Sequence, residues 1–290
     1  MKVKIVAADS MGVRSIATFV EACGIALGLD LGAAIAPRRY GLPPHEIEWR
    51  RLYEALDKAR DIVRESDVIV LTHYHYDHYL RGDPELYYNK TLIVKDYSRD
   101  INASQRFRSY RFLVKTGLKD RARVLVGDNN VFKIGGLTVE LSKPVWHGEP
   151  GTRVGKVLMA RVECEGESLI FTSDVQGPAD PEALTILEGW STPRPSIAIV
   201  GGPPTYFSGK VVSVESVEMG LRGLAFFMRK VKPKTLIIDH HLLRDLNYRS
   251  HIRDHEGIAR ELNIKLQTAA EYEGRAIEQL EARRRELWRR

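Results

Sequence analysis

Residues 68–78 read Val-Ile-Val-Leu-Thr-His-Tyr-His-Tyr-Asp-His. The continuous apolar run through Thr72 has no polar alternation and predicts a strand buried on both faces. It leads directly into His73, His75, Asp77 and His78, three imidazoles and a carboxylate within six residues at a strand end. In an extended turn residues 73 and 75 point the same way, so two imidazoles can grip one cation. Asp77 and His78 follow on the turn and can face a second. Imidazole with carboxylate suits Zn²⁺, Fe or Mn²⁺, and the lack of a nearby Cys argues against a closed structural zinc site.

On the N-terminal side, KVKIVAAD, SIATFVEA and IALGLDLG read as hairpin-linked strands closed by Gly or Asp. The Pro-rich residues 36–48 predict a loop. A helix then runs to about Asp67, with Trp49, Leu52, Tyr53, Leu56 and Val63 as its apolar stripe. On the C-terminal side, strands are expected at KTLIVKD, RARVLVGD, VFKIGG, LTVELSK, KVLMARVEC and SLIFTSD. A helix at 103–116 carries Phe107, Tyr110 and Val114 as its apolar stripe, and Arg108, Arg111 and Lys115 as a parallel basic one. The last third alternates strand PSIAIVGG, helix 214–230, strand KTLIID, a helix around 250–262, strand IKLQT and a C-terminal helix. The latter sets Ile277, Leu280, Leu287 and Trp288 on one side. Two sheets packed face to face with helices outside are expected, in one domain over 1–290 with a basic helical insertion around 98–120.

The chain has 290 residues, 43% of them hydrophobic and 28% charged, enough to bury a sizeable core. Composition excludes disorder, collagen-like repeats and a disulfide-stapled mini-scaffold. No run approaches the roughly 20 apolar residues of a membrane span, and the N-terminus reads as a strand rather than a signal peptide. A soluble cytoplasmic protein is expected, with Cys23 and Cys164 as small buried hydrophobes. The net charge of +6 favours anionic partners. Residues 101–125 hold Arg106, Arg108, Arg111, Lys115, Lys119, Arg121 and Arg123 against the single acid Asp120, while the C-terminal tail is nearly balanced. The glycine-rich stretch 201–209 reads as a turn whose free amides can cradle an anion.

The HxHxDH motif after an apolar strand resembles the signature of the metallo-β-lactamase superfamily of metal-dependent hydrolases, and an uncharacterised archaeal-type branch most closely. The resemblance implies an α/β fold, a four-layer αββα sandwich, with further ligands at later strand ends. The positions that match are His147 in V-W-H-G, Asp174 ending S-L-I-F-T-S-D, and His240 or His241 ending T-L-I-I-D-H-H. Asp30 matches the family's early aspartate, which supports the metal loop. Carried over, His73, His75 and His147 hold one divalent cation, and Asp77, His78 and His240 the other, with Asp174 bridging. The metals expected are two Zn²⁺, with Fe or Mn as alternatives. Neighbours on a strand face opposite ways, so one of the His240–His241 pair is expected at the metal, with His240 favoured.

The activity implied is hydrolysis by a metal-bound hydroxide, with Asp77 also placed to shuttle a proton. A small anionic ester, a phosphoester first, is the expected substrate, with Arg108, Arg111 and Lys115 meeting it. A ribonuclease or phosphodiesterase acting on nucleic acid is less favoured, since no second inserted domain or RNA-gripping arm is seen. An iron-dependent oxidoreductase of the same fold and a non-catalytic binding protein are the remaining alternatives.

Overall fold

The computed structural model describes residues 1–289. Its first sheet is built in sequential order from β1 (Lys2–Ala8), β2 (Ile16–Ala22), β3 (Ile25–Leu29), β4 (Val68–Leu71), β5 (Thr91–Val94) and β6 (Arg123–Val126). The first three strands pair antiparallel, and β3 through β6 run parallel. The chain then enters the second sheet with β7 (Val131–Ile134) and β8 (Leu137–Leu141). It leaves for a two-stranded ribbon, β9 (Val145–Trp146) and β10 (Lys156–Val157), and returns as β11 (Ala160–Cys164). The strands β12 (Glu167–Phe171), β13 (Ile197–Gly201), β14 (Thr235–Asp239) and β15 (Lys265–Gln267) then extend that sheet in parallel.

Alternation along each strand assigns residues to three apolar layers. Val68 and Val70 of β4 point between the sheets, where they meet Leu169, Phe171, Ile199 and Ile237. Ile69 and Leu71 point outward under α1 (Glu46–Glu65). The outer face of the second sheet, with Ala198, Val200, Leu236 and Ile238, is covered by α4 (Pro181–Gly189) and α5 (Val214–Val231). Between these in the chain lie α2 (Ala103–Ser109) and α3 (Leu118–Arg121), and after them α6 (Tyr248–His251), α7 (Arg253–Glu261), α8 (Ala269–Tyr272) and α9 (Arg284–Leu287). The result is the four-layer αββα sandwich, and the aliphatic run at 68–71 reads as it does because both of its faces are buried.

Four local expectations give way. Cys23 and Cys164 are not free thiols: they form a disulfide joining the β2–β3 turn of one sheet to the end of β11 in the other. The face of α1 against the sheet is Leu52, Ala55, Ala59, Ile62 and Val63, so small alanines carry the close packing while Trp49 and Tyr53 stay exposed. In the 103–116 segment α2 gives way to a π-helical turn over Tyr110–Lys115. That wider turn shifts the phase, burying Phe112 and Leu113 and leaving Phe107, Tyr110 and Val114 exposed. The expected C-terminal helix is reduced to α9.

Polar anchors explain the tail. Glu278 meets Arg51, Gln279 donates to the carbonyls of Leu243 and Asp245, and Glu281 pairs with Arg14 and Arg39. These contacts hold residues 278–284 in an irregular, largely buried path and overrule helix propensity. The last anchor is Arg284, wholly buried, which pairs with the equally buried Glu48 and donates to the carbonyls of Ala36 and Leu42. Replacing Arg284 by Met strands that carboxylate. The substitution should lower the unfolding free energy by about 3–5 kcal/mol, read from the denaturant midpoint.

Candidate metal centre

Each side chain of the site stands where a strand ends. His73, His75, Asp77 and His78 follow β4, His147 follows β9, Asp174 follows β12, and His240 and His241 follow β14. The turn after β4 packs so closely on Gly32 that a Cβ there would lie 2.1 Å from the backbone nitrogen of Tyr79. Only glycine lets that loop seat. Asp30, Ser173 and His240 all have positive φ, at 47°, 53° and 61°, a conformation costly for residues other than glycine and typical of functional sites.

Asp174 is the hub. One of its carboxylate oxygens, Oδ2, lies 3.0 Å from Nε2 of His147, 3.3 Å from that of His78 and 3.6 Å from that of His73. Oδ1 lies 3.1 Å from Nε2 of His240. His73, His75, His147 and Asp174 offer atoms that all lie within 4.8 Å of one another, and so do Asp77, His78 and His240. The seven side chains named from the sequence are thus gathered into two adjoining groups that could hold metal ions, with Asp174 against both.

The far nitrogen of most rings is held, which fixes which nitrogen faces inward. Nδ1 of His78 donates to Asp30 Oδ2 at 2.9 Å, and Nδ1 of His240 donates to Asp9 Oδ2 at 2.8 Å. Nδ1 of His73 lies 3.1 Å from the Thr72 hydroxyl, which itself donates to Asp30 at 2.6 Å. The Gln176 side-chain amide lies 3.2 Å from Nδ1 of His147. Turned inward and buried, Nε2 of His73, Nε2 of His78 and Oδ1 of Asp174 have no hydrogen-bond partner. Buried polar atoms are ordinarily satisfied, so orphans clustered around one carboxylate fit a cation. The donor set of imidazole nitrogens and carboxylate oxygens suits zinc, iron or manganese.

Electrostatics agree. Burial alone would raise Asp174, yet the charges of His240 and His78, with hydrogen bonds from His147 and His240, hold its carboxyl well below the usual range. Burial likewise opposes protonation of His78, but Asp174 and Asp30 push its pKa well up. His240 is pushed up to about 9, chiefly by Asp174 against burial and the charge of Arg244. Burial and the neighbouring charge of His147 push His75 down to about 3. The negative charge of Asp174 thus favours protonation of His78 and His240. Protons and metal therefore compete for the same Nε2 atoms.

Sequence reading missed part of the supporting shell. Asp9, closing β1, holds His240, and the buried Arg244 donates to Asp9 at 2.8 Å while its Nη2 reaches within 3.7 Å of Asp77. An aspartate ending an apolar strand, A-A-D, was the available signal for Asp9. Gln105 accepts from the Tyr74 amide and donates to the carbonyls of Val154 and Lys156, tying the metal loop to the β9–β10 ribbon. The two adjacent histidines do not face opposite ways, because β14 ends at Asp239 and they start a helical turn. Their rings lie 4.3 Å apart, and His241 also offers an atom beside Asp174 and His240.

Arg108 lies in α2, and Arg111 and Lys115 lie in the π-helical turn that follows it. Arg108 stacks over the ring of Tyr76, and Arg111 and Lys115 line a cavity beside it. In the 201–209 turn the amides of Gly201, Gly202, Thr205, Phe207, Ser208 and Gly209 donate within the protein, so these six are not free to cradle an anion. His45 caps α1, His251 faces Asp245, and His255 bonds the carbonyl of Leu221. No described helix is long and apolar enough to cross a membrane.

No protein-family profile matches the chain. A UPF0282 protein of Aeropyrum pernix is 57% identical over 290 residues, covering all of this chain and 99% of its own. The metallo-beta-lactamase fold protein YhfI from Bacillus subtilis superposes with a TM-score of 0.54 at 11% identity, over 92% of this chain and 95% of its own. An isothiocyanate hydrolase from Delia radicum gut bacteria does so with 0.52 at 14% identity, over 88% and 94%. With that backbone course and full-length identity to such a relative, the chain belongs to the UPF0282 family and has the metallo-β-lactamase fold.

Proposed function

We propose that this UPF0282 chain is a metal-dependent hydrolase of small anionic esters, phosphoesters first. The observation that carries the reading is the convergence of inward-facing, unpartnered Nε2 atoms on the carboxylate of Asp174. His73, His75 and His147 would hold one divalent cation, and Asp77, His78 and His240 a second, with Asp174 between them; Zn²⁺ suits this donor set. Such cations supply Lewis acidity toward a substrate oxygen and make water acidic enough to ionise near neutral pH.

The chain's own groups do the rest. Asp30 and Asp9 fix the inward-facing nitrogens of His78 and His240. Although burial opposes it, the charges of His78 and His240 keep Asp77 ionised, and its partly accessible carboxylate can accept a proton at the mouth of the site. Arg244 directs positive charge toward Asp77 and steadies it. The shared fold with a hydrolase supports the class of reaction, and the basic segment at 101–125 supports a negatively charged substrate.

Elemental analysis of protein purified without added metal, followed by assay on phosphodiesters, phosphomonoesters, lactones, thioesters and short RNA, tests the reading. About two zinc ions per chain and turnover of a small phosphoester are expected. Protein that binds neither zinc, iron nor manganese overturns it. Iron with no hydrolysis would shift it to redox chemistry.

A further inference from the structure

We infer that the cavity between the metal loop and the inserted helical segment binds a phosphorylated compound with a flat aromatic group, of the nucleoside diphosphate class. This deepens the hydrolase reading by naming its substrate class. The cavity holds about 700 Å³ and is lined by Tyr76, Phe107 and Tyr110 together with Arg81, Arg111 and Lys115. That volume lies in the range of small-molecule sites and far exceeds what one phosphate needs. Tyr76, which lies between His75 and Asp77 in the chain, contributes to the cavity lining from the metal loop.

Charge is the first argument. Among the described residues none of the seven basic side chains of 101–125, nor Arg81, has a carboxylate within ion-pair distance, whereas Arg51, Arg60 and Arg64 of α1 each do. Here, like charges are crowded together without compensation. Arg81 and Arg108 both lie over the ring of Tyr76, at 4.7 and 4.6 Å, and Arg111 lies over Phe107 at 5.8 Å. Stacking orients each guanidinium plane while leaving its N–H groups free for phosphate oxygens, which it can take two at a time. Several such cations suit more than one phosphate charge.

Aromatic exposure is the second argument. Phe107 and Tyr110 are 58% and 48% exposed, although they border a pocket. The π-helical turn at 110–115 buries Phe112 and Leu113 and leaves Tyr110, Arg111 and Lys115 on the open side. An ordinary helix would have placed Phe107, Tyr110 and Val114 together on one face. Exposed rings beside guanidinium groups bind flat heterocycles by stacking.

Calorimetric titration with ADP, ribose 5-phosphate and adenosine tests the inference, on wild-type protein with metal and after its removal. ADP is expected to bind in both states, at least about tenfold tighter than either fragment, because ring and phosphates act together. The Arg111→Gln/Lys115→Gln double variant alters exposed positions, so its unfolding midpoint should match wild type. It should bind ADP about 100-fold more weakly, as expected for two charge-assisted contacts. Lys133→Gln, on β7 of the other sheet, should leave affinity unchanged. ADP binding that needs the metal, or that survives the double substitution, overturns the inference and leaves the hydrolase reading in place. Tighter binding of a short oligoribonucleotide than of ADP overturns it too. Metal-independent ADP binding without any hydrolysis keeps the inference and removes the hydrolase reading.

Discussion

Asp174→Ala should lower hydrolytic turnover by at least about 10³-fold and strip most of the metal from the purified protein. Losing a group one shell away from a metal typically costs about 10- to 100-fold. On the proposed reading Asp174 is closer than that: its two oxygens face the Nε2 atoms of His73, His78, His147 and His240. Without it the candidate centre holds five imidazoles and only the partly accessible Asp77, so most of the negative charge that would attract a cation is gone. The rate loss follows because water then reverts toward its ordinary acidity, far from ionisation at neutral pH. Metal content measured alongside turnover separates this from simple misfolding. A variant that keeps its metal and its rate would remove Asp174 from the mechanism.

Reducing the Cys23–Cys164 disulfide, or replacing both residues by Ser, should lower stability by up to about 5 kcal/mol. The two half-cystines are 141 residues apart, so opening the bond frees a very long loop in the unfolded chain. Paired denaturant titrations with and without reductant measure the loss. Turnover of the still-folded protein should be unaffected. Cys164 adjoins the start of β12, whose other end leads to Asp174, and Cys23 precedes β3, whose other end leads to Asp30. The bond thus sits at the end of the sandwich away from the site.

The parts of the molecule legible in the sequence are those set by local pattern. Val68–Leu71 announces a doubly buried strand because each of its residues is aliphatic, and the histidines that follow lie within six residues. His147, Asp174 and His240 are implied by the family resemblance, at positions that each follow a strand. What escaped depends on partners remote in the chain. Asp9 carries only the weak mark of an aspartate closing a strand, and its partner His240 is 231 residues away. The disulfide has the same character, as two isolated cysteines carry no sign that two turns will meet. In the 103–116 segment the apolar spacing fits 3.6 residues per turn, and the π-turn changes the register. At the C-terminus Glu278, Glu281 and Arg284 look like a solvated helix face, but the protein buries or pairs them.

That anchored tail bears on when the site can be finished. Gln279 holds the carbonyls of Leu243 and Asp245, Glu281 engages Arg39, and Arg39 donates to the carbonyl of Arg244, the residue that steadies Asp9 and through it His240. A nascent chain emerging from the ribosome without residues 279–284 has all the metal-facing side chains but not the strap that sets their backing. Until residues 279–284 have joined the fold, the backing of the candidate centre is therefore incomplete.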